Sequence, residues 1–240
     1  MATTIEKKID RALNILDRWF GFRNVRGHTF YSKSLYPKST VLDLGANLGA
    51  FSQHIASKYK CNTYLVEASP ALFAQINETA LVHKYNYAIT GKDGFVTFYE
   101  SSRIDAGNIV APNSKSTGNT FEVKARSIAS LIAEIGLETI DLLKIDIEGA
   151  EIELFDNIGD EDLKHFKQIT IECHDSVTIP NVSPKDVNRV IKKLHSMGFY
   201  GIAMGKKNFD WLFWNTKEIR LPSLAKFYLS FRKQLTKSTT

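Results

Sequence analysis

The chain contains 240 residues, of which 43% are apolar, and carries a formal net charge of +5. This length predicts one α/β domain, because a domain usually spans about 100–200 residues. No apolar run reaches the roughly 18 residues that a transmembrane helix needs, and residues 1–8 lack the apolar core of a signal peptide.

The positive charge is concentrated at the C-terminal end of the chain. Residues 217–240 hold six basic residues and one acidic residue, so residues 1–216 are formally neutral. A domain that binds nucleic acid usually carries a basic face, and this distribution therefore argues against nucleic acid as a partner. The two cysteines, Cys61 and Cys173, lie far apart and indicate free thiols in a reducing cytoplasm.

The first predicted element is an amphipathic helix over residues 4–20. Its apolar residues recur at helical spacing and are Ile5, Ile9, Ala12, Leu13, Leu16, Trp19 and Phe20. Such a helix either packs on the edge of the domain or helps to cover a cofactor or substrate. Residues 21–40 are rich in Gly, Ser and aromatic residues and connect this helix to the first core strand.

A strand, a glycine turn and a helix start follow at residues 41–51. Residues 41–44 are apolar except for Asp43. The turn that follows contains Gly45, Asn47 and Gly49. Glycine lets the backbone approach a ligand closely, and the N–H groups of a helix start face that ligand. Glu67 ends the next predicted strand, where an acid often binds a ribose, so the pattern predicts a nucleoside site.

The rest of the chain alternates between strands and helices. Strands are predicted at residues 63–66, 86–89, 95–99, 121–125 (an edge strand), 142–146 and 168–172, before a closing hairpin of residues 199–204 and 209–214. Helices are predicted at residues 69–80, 128–135 and 184–197. The polar loop 101–119 is either a flap on the substrate side or disordered. This order predicts an α/β fold with an open, mostly parallel sheet, helices on both faces and an antiparallel edge.

Polar side chains are predicted at the carboxyl ends of four strands. They are Asp43, Glu67, Asp146 and the pair Glu172 and His174. The two-residue period of a strand puts Lys144 on the same face as Asp146, and burying both is costly unless they are paired or used. Ligands of an open α/β sheet lie beyond the carboxyl ends of its strands. The sequence therefore predicts one functional rim.

The segment DLLKIDIEGAE at residues 141–151 resembles the signature segment of the FkbM family of S-adenosylmethionine (SAM)-dependent methyltransferases. Residues 43–51, 66–70, 86–88 and 94–98 agree with the family in order and spacing, and Glu172 and His174 resemble its later acidic–histidine strand end. The resemblance covers about residues 40–175. It implies a Rossmann-like methyltransferase fold, SAM as the cofactor, and methyl transfer to a hydroxyl of a sugar, glycan or secondary metabolite.

The resemblance also implies roles for individual residues of the cofactor site. The SAM turn would comprise Gly45, Ala46, Asn47 and Gly49, with Asp43 beneath it. Glu67 would hold the ribose hydroxyls, Ala88 would flank the adenine, and Ala68 would also belong to the cofactor site. Ala129 stands where family members often have an acid, so a role of that acid does not carry over.

Methyl transfer to a hydroxyl requires an aligned acceptor that loses its proton. We expect His174 or Asp146 to accept that proton. Glu172 lies at the same rim, and Lys144 adjusts the acidity of Asp146. In a rival arrangement, Asp146, Glu172 and His174 hold a divalent ion that acidifies the hydroxyl. We favour the arrangement without a metal.

Two other functions fit parts of the pattern. A glycine turn followed by Glu67 also suits the ribose of NAD in an oxidoreductase, although the glycine spacing departs from the dinucleotide fingerprint. A catalytically silent SAM-fold adaptor that docks through its basic end is the second alternative, and the acids at the rim argue against it.

Residues 221–235 predict a second amphipathic helix. Its apolar residues are Leu224, Phe227, Tyr228, Phe231 and Leu235, and basic residues lie beside them. The helix packs on the domain edge, forms a homodimer contact, or binds an anionic membrane surface weakly. We therefore divide the chain into an N-terminal segment of residues 1–40, a methyltransferase domain of residues 41–216 and a basic amphipathic segment of residues 217–240, in a cytoplasmic protein.

Overall fold

The structure, a computed structural model, describes residues 4–101, 107, 109, 116–172, 183–204 and 210–237. Its strands are β1 (Phe22–Val25), β2 (His28–Tyr31), β3 (Thr40–Leu44), β4 (Asn62–Val66), β5 (Val82–Tyr85), β6 (Ala88–Ile89), β7 (Gly94–Ser101), β8 (Ser116–Arg126), β9 (Leu142–Ile145), β10 (Gln168–Glu172), β11 (Phe199–Ala203) and β12 (Asp210–Asn215). Its α-helices are α1 (Thr4–Phe20), α2 (Ala50–Tyr59), α3 (Pro70–Gln75), α4 (Ile128–Ile135), α5 (Glu151–Asn157), α6 (Asp160–Leu163), α7 (Pro184–Ser196) and α8 (Ser223–Lys237), and a 3-10 helix spans Ser32–Ser34.

Seven strands form the central sheet, in the order β11-β12-β10-β9-β3-β4-β5. The pairs β10/β9, β9/β3, β3/β4 and β4/β5 are parallel, whereas β12 is antiparallel to both of its neighbours. The open, mostly parallel sheet with an antiparallel edge is thus confirmed. The chain runs outward from β3 to β5 and then returns to β9 on the other side of β3. Ligands bind at such a switch point, beyond the carboxyl ends of the strands.

Side chains alternate across the sheet and divide the core into two layers. Leu42, Leu44, Leu143 and Ile145 belong to the cluster that includes residues of α4, α5 and α7. Val41 and Leu142 belong instead to a cluster with residues of α2 and of the segment before β3. Helices therefore cover both faces, as predicted, because period-two alternation exposes apolar side chains on each face.

An N-terminal hairpin, which the sequence did not predict, precedes the central sheet. Strands β1 and β2 pair antiparallel around a turn at Arg26 and Gly27, which have φ angles of 56° and 95°. The backbone N–H of Tyr31 donates to Oε1 of the fully buried Gln168 on β10 at 2.9 Å. The N–H and hydroxyl groups of Thr29 donate to the buried Asp210 on β12. These bonds fix the hairpin against β10, which ends at the predicted rim, and against β12, which begins beside it.

Three local predictions were wrong. The helix that begins at Pro70 ends at Gln75 rather than near residue 80, because Ile76 turns to an extended conformation and is buried. The segment 121–125 is not an edge strand: it lies within β8, the middle strand of the three-stranded sheet β6-β8-β7. Ala88 and Ile89 pair with that strand, while β5 ends at Tyr85 as the third parallel strand. Alternation along a strand does not reveal which strands lie beside it.

The two terminal helices pack against each other. The hydroxyl of Tyr228 on α8 donates to Oδ1 of Asp17 on α1 at 2.7 Å, and Nε of Arg232 donates to the same oxygen at 3.1 Å. Leu13, Tyr228 and Leu229 share a buried cluster with residues of β11 and β12. The inner faces of both helices therefore belong to the core. In the part of the chain that the structure describes, no helix is long and apolar enough to cross a lipid bilayer.

Candidate functional site

A cavity of about 640 Å³ lies at the carboxyl ends of β3, β4, β9 and β10. This size is typical of a site for a small ligand. Most of the residues predicted from the sequence line it: Gly45, Ala46, Asn47, Glu67, Ala68, Ala88, Lys144, Asp146 and Glu172. The four strand ends thus come together at one rim. His174 lies outside the described residues, so its predicted role stays a prediction.

The turn after β3 requires glycine at its first position because the backbone of another segment passes close to it. Gly45 has a φ of 77°, and a Cβ atom there would lie 1.7 Å from the carbonyl oxygen of Asp146. The N–H groups of Gly45 and Ala46 both donate to the carbonyl of Val66 at 3.0 Å. These contacts tie together the ends of three neighbouring strands, so a side chain at this position would separate them.

Two of the predicted cofactor residues lie behind the cavity wall. Gly49 has a φ of 74° at the start of α2, and a Cβ atom there would face Ile76 at 3.2 Å and Leu65 at 3.4 Å. The reason expected for this glycine, close contact with a ligand, is therefore corrected: left-handed backbone and core packing require it. Asp43 is fully buried beneath the turn, as expected, and accepts a hydrogen bond from Ser52 of α2 at 2.8 Å.

Glu67 is held at the end of β4 with its carboxylate over the turn. One oxygen accepts from the N–H of Asn47 and the other from the N–H of Ser69, each at 2.8 Å. Nδ2 of Asn86 donates to the carbonyl of Glu67 and fixes the backbone there. Burial raises the pKa of Glu67, and the two N–H donors oppose that shift. Each carboxylate oxygen keeps a further lone pair that a ligand hydroxyl can use.

Lys144 links the turn to the rim. Its Nζ atom lies 3.0 Å from Oδ1 of Asp43 and 3.5 Å from Oδ2 of Asp146, and it donates to the carbonyl of Gly45 at 2.7 Å. Burial alone would lower the pKa of Lys144, but the charges of Asp43 and Asp146 outweigh it and the pKa is raised. Lys144 is therefore an ammonium group that lies between Asp43 and Asp146, and not a base.

A histidine that the sequence reasoning missed completes the rim. Nε2 of His28 lies 3.2 Å from Oδ2 of Asp146 and 3.9 Å from Oε2 of Glu172. The His28 side chain is 1% exposed, whereas those of Asp146 and Glu172 are 25% and 35% exposed. The imidazole is therefore more deeply buried than the two carboxylates, and it lines the cavity together with them.

The N-terminal hairpin positions His28. The residue begins β2 directly after the turn, and its ring makes an edge contact with Phe51 of α2, with ring centroids 5.9 Å apart. The bonds from Thr29 to Asp210 hold the next residue in place. The sequence signal was weak, since only the residue pair Arg26 and Gly27 indicates a turn before His28.

The loop after Asp146 is held by a carboxylate of the signature segment. Oε1 of Glu151 accepts from the N–H of Ile147 at 3.1 Å, and Oε2 accepts from the N–H of Gly149 at 3.0 Å. Glu151 is buried at the start of α5, and Glu148 between these donors has a left-handed φ of 52°. This anchoring fixes the backbone that carries Asp146.

The opposite end of the cavity is apolar. Ala88 of β6 and Phe98 of β7 are buried in a cluster that Ala68 and Ile109 join from the side. These residues line the cavity beyond Glu67. The site therefore runs from an apolar end, past a carboxylate on the β4 strand end, to a charged end at His28 and Asp146.

A family model described as the methyltransferase FkbM domain matches residues 43–200. The 31-O-demethyl-FK506 methyltransferase FkbM of Streptomyces tacrolimicus is 25% identical over 175 residues, which cover 59% of this chain and 67% of that protein. The antimetabolite synthetase AmbE of Pseudomonas aeruginosa is 26% identical over 210 residues, which cover 68% of this chain but only 10% of AmbE.

Among solved structures, a precorrin-6y C5,15-methyltransferase from Geobacter metallireducens matches with a TM-score of 0.44 and 10% identity, over 75% of this chain and 82% of that chain.

Proposed function

Because the chain belongs to the FkbM methyltransferase family, its cofactor is S-adenosyl-L-methionine, and we propose that it transfers the methyl group to a hydroxyl of a sugar, glycan or secondary metabolite. The family favours SAM over the alternative of a nicotinamide cofactor. The similar Streptomyces protein is named for O-methylation, which supports an oxygen acceptor here. The observation that supports this proposal most is the group of charged side chains at the end of the cavity that contains His28 and Asp146.

The cofactor would lie along the cavity from its apolar end to its charged end. The adenine would pack against Ala88 and Phe98, and the ribose hydroxyls would donate to the carboxylate oxygens of Glu67. The turn of Ala46 and Asn47 would follow the methionine part of SAM, whose sulfonium is positive. Acids at the charged end favour such a cation.

The acceptor hydroxyl would bind beside His28, Asp146 and Glu172, which lie at the far end of the cavity from Ala88. Bound SAM would supply the methyl group, and the acceptor oxygen would take it. The hydroxyl proton would pass to Asp146 or His28, which lie beside the acceptor. The ammonium group of Lys144 lies 3.5 Å from Oδ2 of Asp146, and a carboxylate at this place can stabilise the loss of a proton.

Transfer of a labelled methyl group from SAM to a panel of hydroxylated acceptors tests this function. We expect label in an ether product and one equivalent of S-adenosylhomocysteine. A chain that binds SAM but labels no sugar, glycan or hydroxylated metabolite would support the silent adaptor instead. Label on nitrogen or carbon would keep the methyltransferase and overturn the hydroxyl acceptor.

A membrane contact is a second part of the proposal, and the outer face of α8 supports it. Leu224, Phe227 and Phe231 are 58%, 72% and 46% exposed, and the exposed Lys226 and Lys233 lie on the same helix. Each basic group near an anionic surface contributes about 1 kcal/mol, so the attachment would be weak and reversible. The buried inner face of α8 means that deleting the helix would damage the core.

A further inference from the structure

We propose that His28, Asp146 and Glu172 form a binding site for a divalent metal ion at the acceptor end of the cavity. This metal site rests on the proposed function, because the ion would bind the acceptor hydroxyl that receives the methyl group. Each residue offers one ligand atom, and the three atoms lie within 4.8 Å of one another. One of the three side chains comes from the N-terminal hairpin and two come from strand ends.

The distances suit an ion after a small adjustment. Metal bonds of about 2.0–2.2 Å bring neighbouring ligand atoms to roughly 3–3.5 Å from each other. Nε2 of His28 and Oδ2 of Asp146 are already 3.2 Å apart, whereas Oε2 of Glu172 lies 3.9 Å from Nε2. Glu172 is the most exposed of the three, so its side chain can move inward without disturbing the core.

The charges around the site favour a divalent cation. Asp43, Asp146 and Glu172 are carboxylates, and Lys144 is the ammonium group among them. Counted formally, three acids and one lysine give this group of residues an excess of two negative charges, and one of the acids, Asp43, is fully buried, where an unbalanced charge is costly. A bound divalent ion removes that excess.

The ligand set indicates which ions fit. One imidazole and two carboxylates, with no thiolate, suit Mn²⁺, Fe²⁺ or Zn²⁺ better than Mg²⁺, which prefers oxygen ligands alone. Three protein ligands leave coordination positions open, and the cavity lies on that side. The acceptor oxygen would occupy one of them. Its proton would pass to solvent water, and the ion would hold the oxygen as it attacks the methyl carbon.

Manganese binding tests the site without any need for an acceptor. The full chain, treated with a chelator and then dialysed, is titrated with Mn²⁺, and the unbound ion is followed by electron paramagnetic resonance. We expect one Mn²⁺ per chain. His28→Ala and Glu172→Gln should each weaken binding at least tenfold, whereas Glu148→Gln, which alters another acid of the cavity, should leave it unchanged. SAM affinity, measured in parallel, should be the same in all variants.

Two results would overturn the metal site. One is no Mn²⁺ uptake by a chain that binds SAM, and the other is equal uptake by the parent and by Glu172→Gln, a variant at a half-exposed position that should fold. Equal rates of methyl transfer by the chelated and the Mn²⁺-loaded chain would also reject a role of the ion in the reaction. The proposed methyltransferase function would stand, and His28 or Asp146 would then take the proton directly. Mn²⁺ binding without transfer to any hydroxyl would reject the proposed function and keep the site.

Discussion

Nε2 of His28 lies 3.2 Å from Oδ2 of Asp146, although 118 positions separate the two residues in the chain. Asp146 belongs to the segment of residues 43–200 that matches the family model, and His28 lies before it. The N-terminal hairpin therefore brings an imidazole to a rim whose other side chains come from the sheet. The charged end of the cavity is incomplete without this hairpin.

Asp146→Asn should reduce methyl transfer by roughly 10²- to 10⁴-fold, because it removes the charge at the point where the acceptor loses its proton. The shape of the side chain is kept, and Lys144 retains its contact with Asp43 at 3.0 Å. The check is the single-turnover rate with a competent acceptor. Asp160→Asn, an exposed change on α6, is the control. An unchanged rate in Asp146→Asn would remove this residue from the mechanism.

Gly45→Ala should destabilise the fold far more than Gly136→Ala. The two glycines have nearly the same φ, 77° and 76°, so both changes carry the left-handed backbone cost of about 1–2 kcal/mol. Only at Gly45 would the new Cβ meet the carbonyl oxygen of Asp146, which adds about 1–3 kcal/mol or more of steric strain. The free energies of unfolding in urea provide the comparison. Equal losses in the two variants would mean that the strand ends are not packed as described.

Asp210 should make the stability of the chain depend on pH. Burial raises the pKa of this carboxyl to about 6, and the hydrogen bonds from Thr29 oppose the shift. Since the folded pKa is above the unfolded one, the stabilising contribution is fully present below about pH 4 and is lost as the pH rises through about 6.

The stability difference between the parent and Asp210→Asn isolates this group. As the pH rises from about 4 to about 7, the parent should lose up to about 3 kcal/mol relative to the variant. Urea denaturation at several pH values measures the difference. A difference that stays constant over this range would show that Asp210 has an ordinary pKa.

Phe227→Ser should weaken binding to anionic phospholipid vesicles and leave the melting temperature unchanged, because Phe227 is 72% exposed on the outer face of α8. Co-sedimentation at low and at high salt measures the binding, and the parent should bind less at high salt. Phe95→Ser, which changes a 68% exposed phenylalanine on β7, is the matched control. Equal binding by the parent and by both variants, or none at all, would reject the membrane contact.

The sequence predicted the central sheet and most of the rim because both depend on local patterns. Glu67 and Asp146 follow short apolar runs and Asp43 lies next to the end of one, and parallel strands bring their ends to one edge whatever the details of packing. The glycine turn was expected from the sequence, and the structure shows that Gly45 is required by the close approach of the Asp146 backbone, while its contact with the cofactor stays a prediction. Only the family resemblance predicted that Ala68 and Ala88 belong to the site, and both residues line the cavity.

His28 could not be found in this way, because its role depends on long-range docking. The hairpin reaches the rim through bonds to Gln168 and Asp210, which lie more than a hundred positions away in the chain. Nothing in the local pattern of residues 21–40 indicates those partners. The same limit explains Gly49, where the glycine is required by contacts with Leu65 and Ile76 and the local pattern suggested a ligand.

We propose that the cavity binds the cofactor at Glu67 and carries out the reaction at Asp146, and SAM affinity measured by calorimetry distinguishes the two ends. Glu67→Gln should weaken SAM binding by roughly 10- to 100-fold, because charge-assisted hydrogen bonds to the ribose contribute about 1.5–3 kcal/mol. Asp146→Asn should change the affinity by less than about threefold, because the loss there falls on the chemical step. Unchanged affinity in Glu67→Gln, or an equal loss in both variants, would contradict this division of the site.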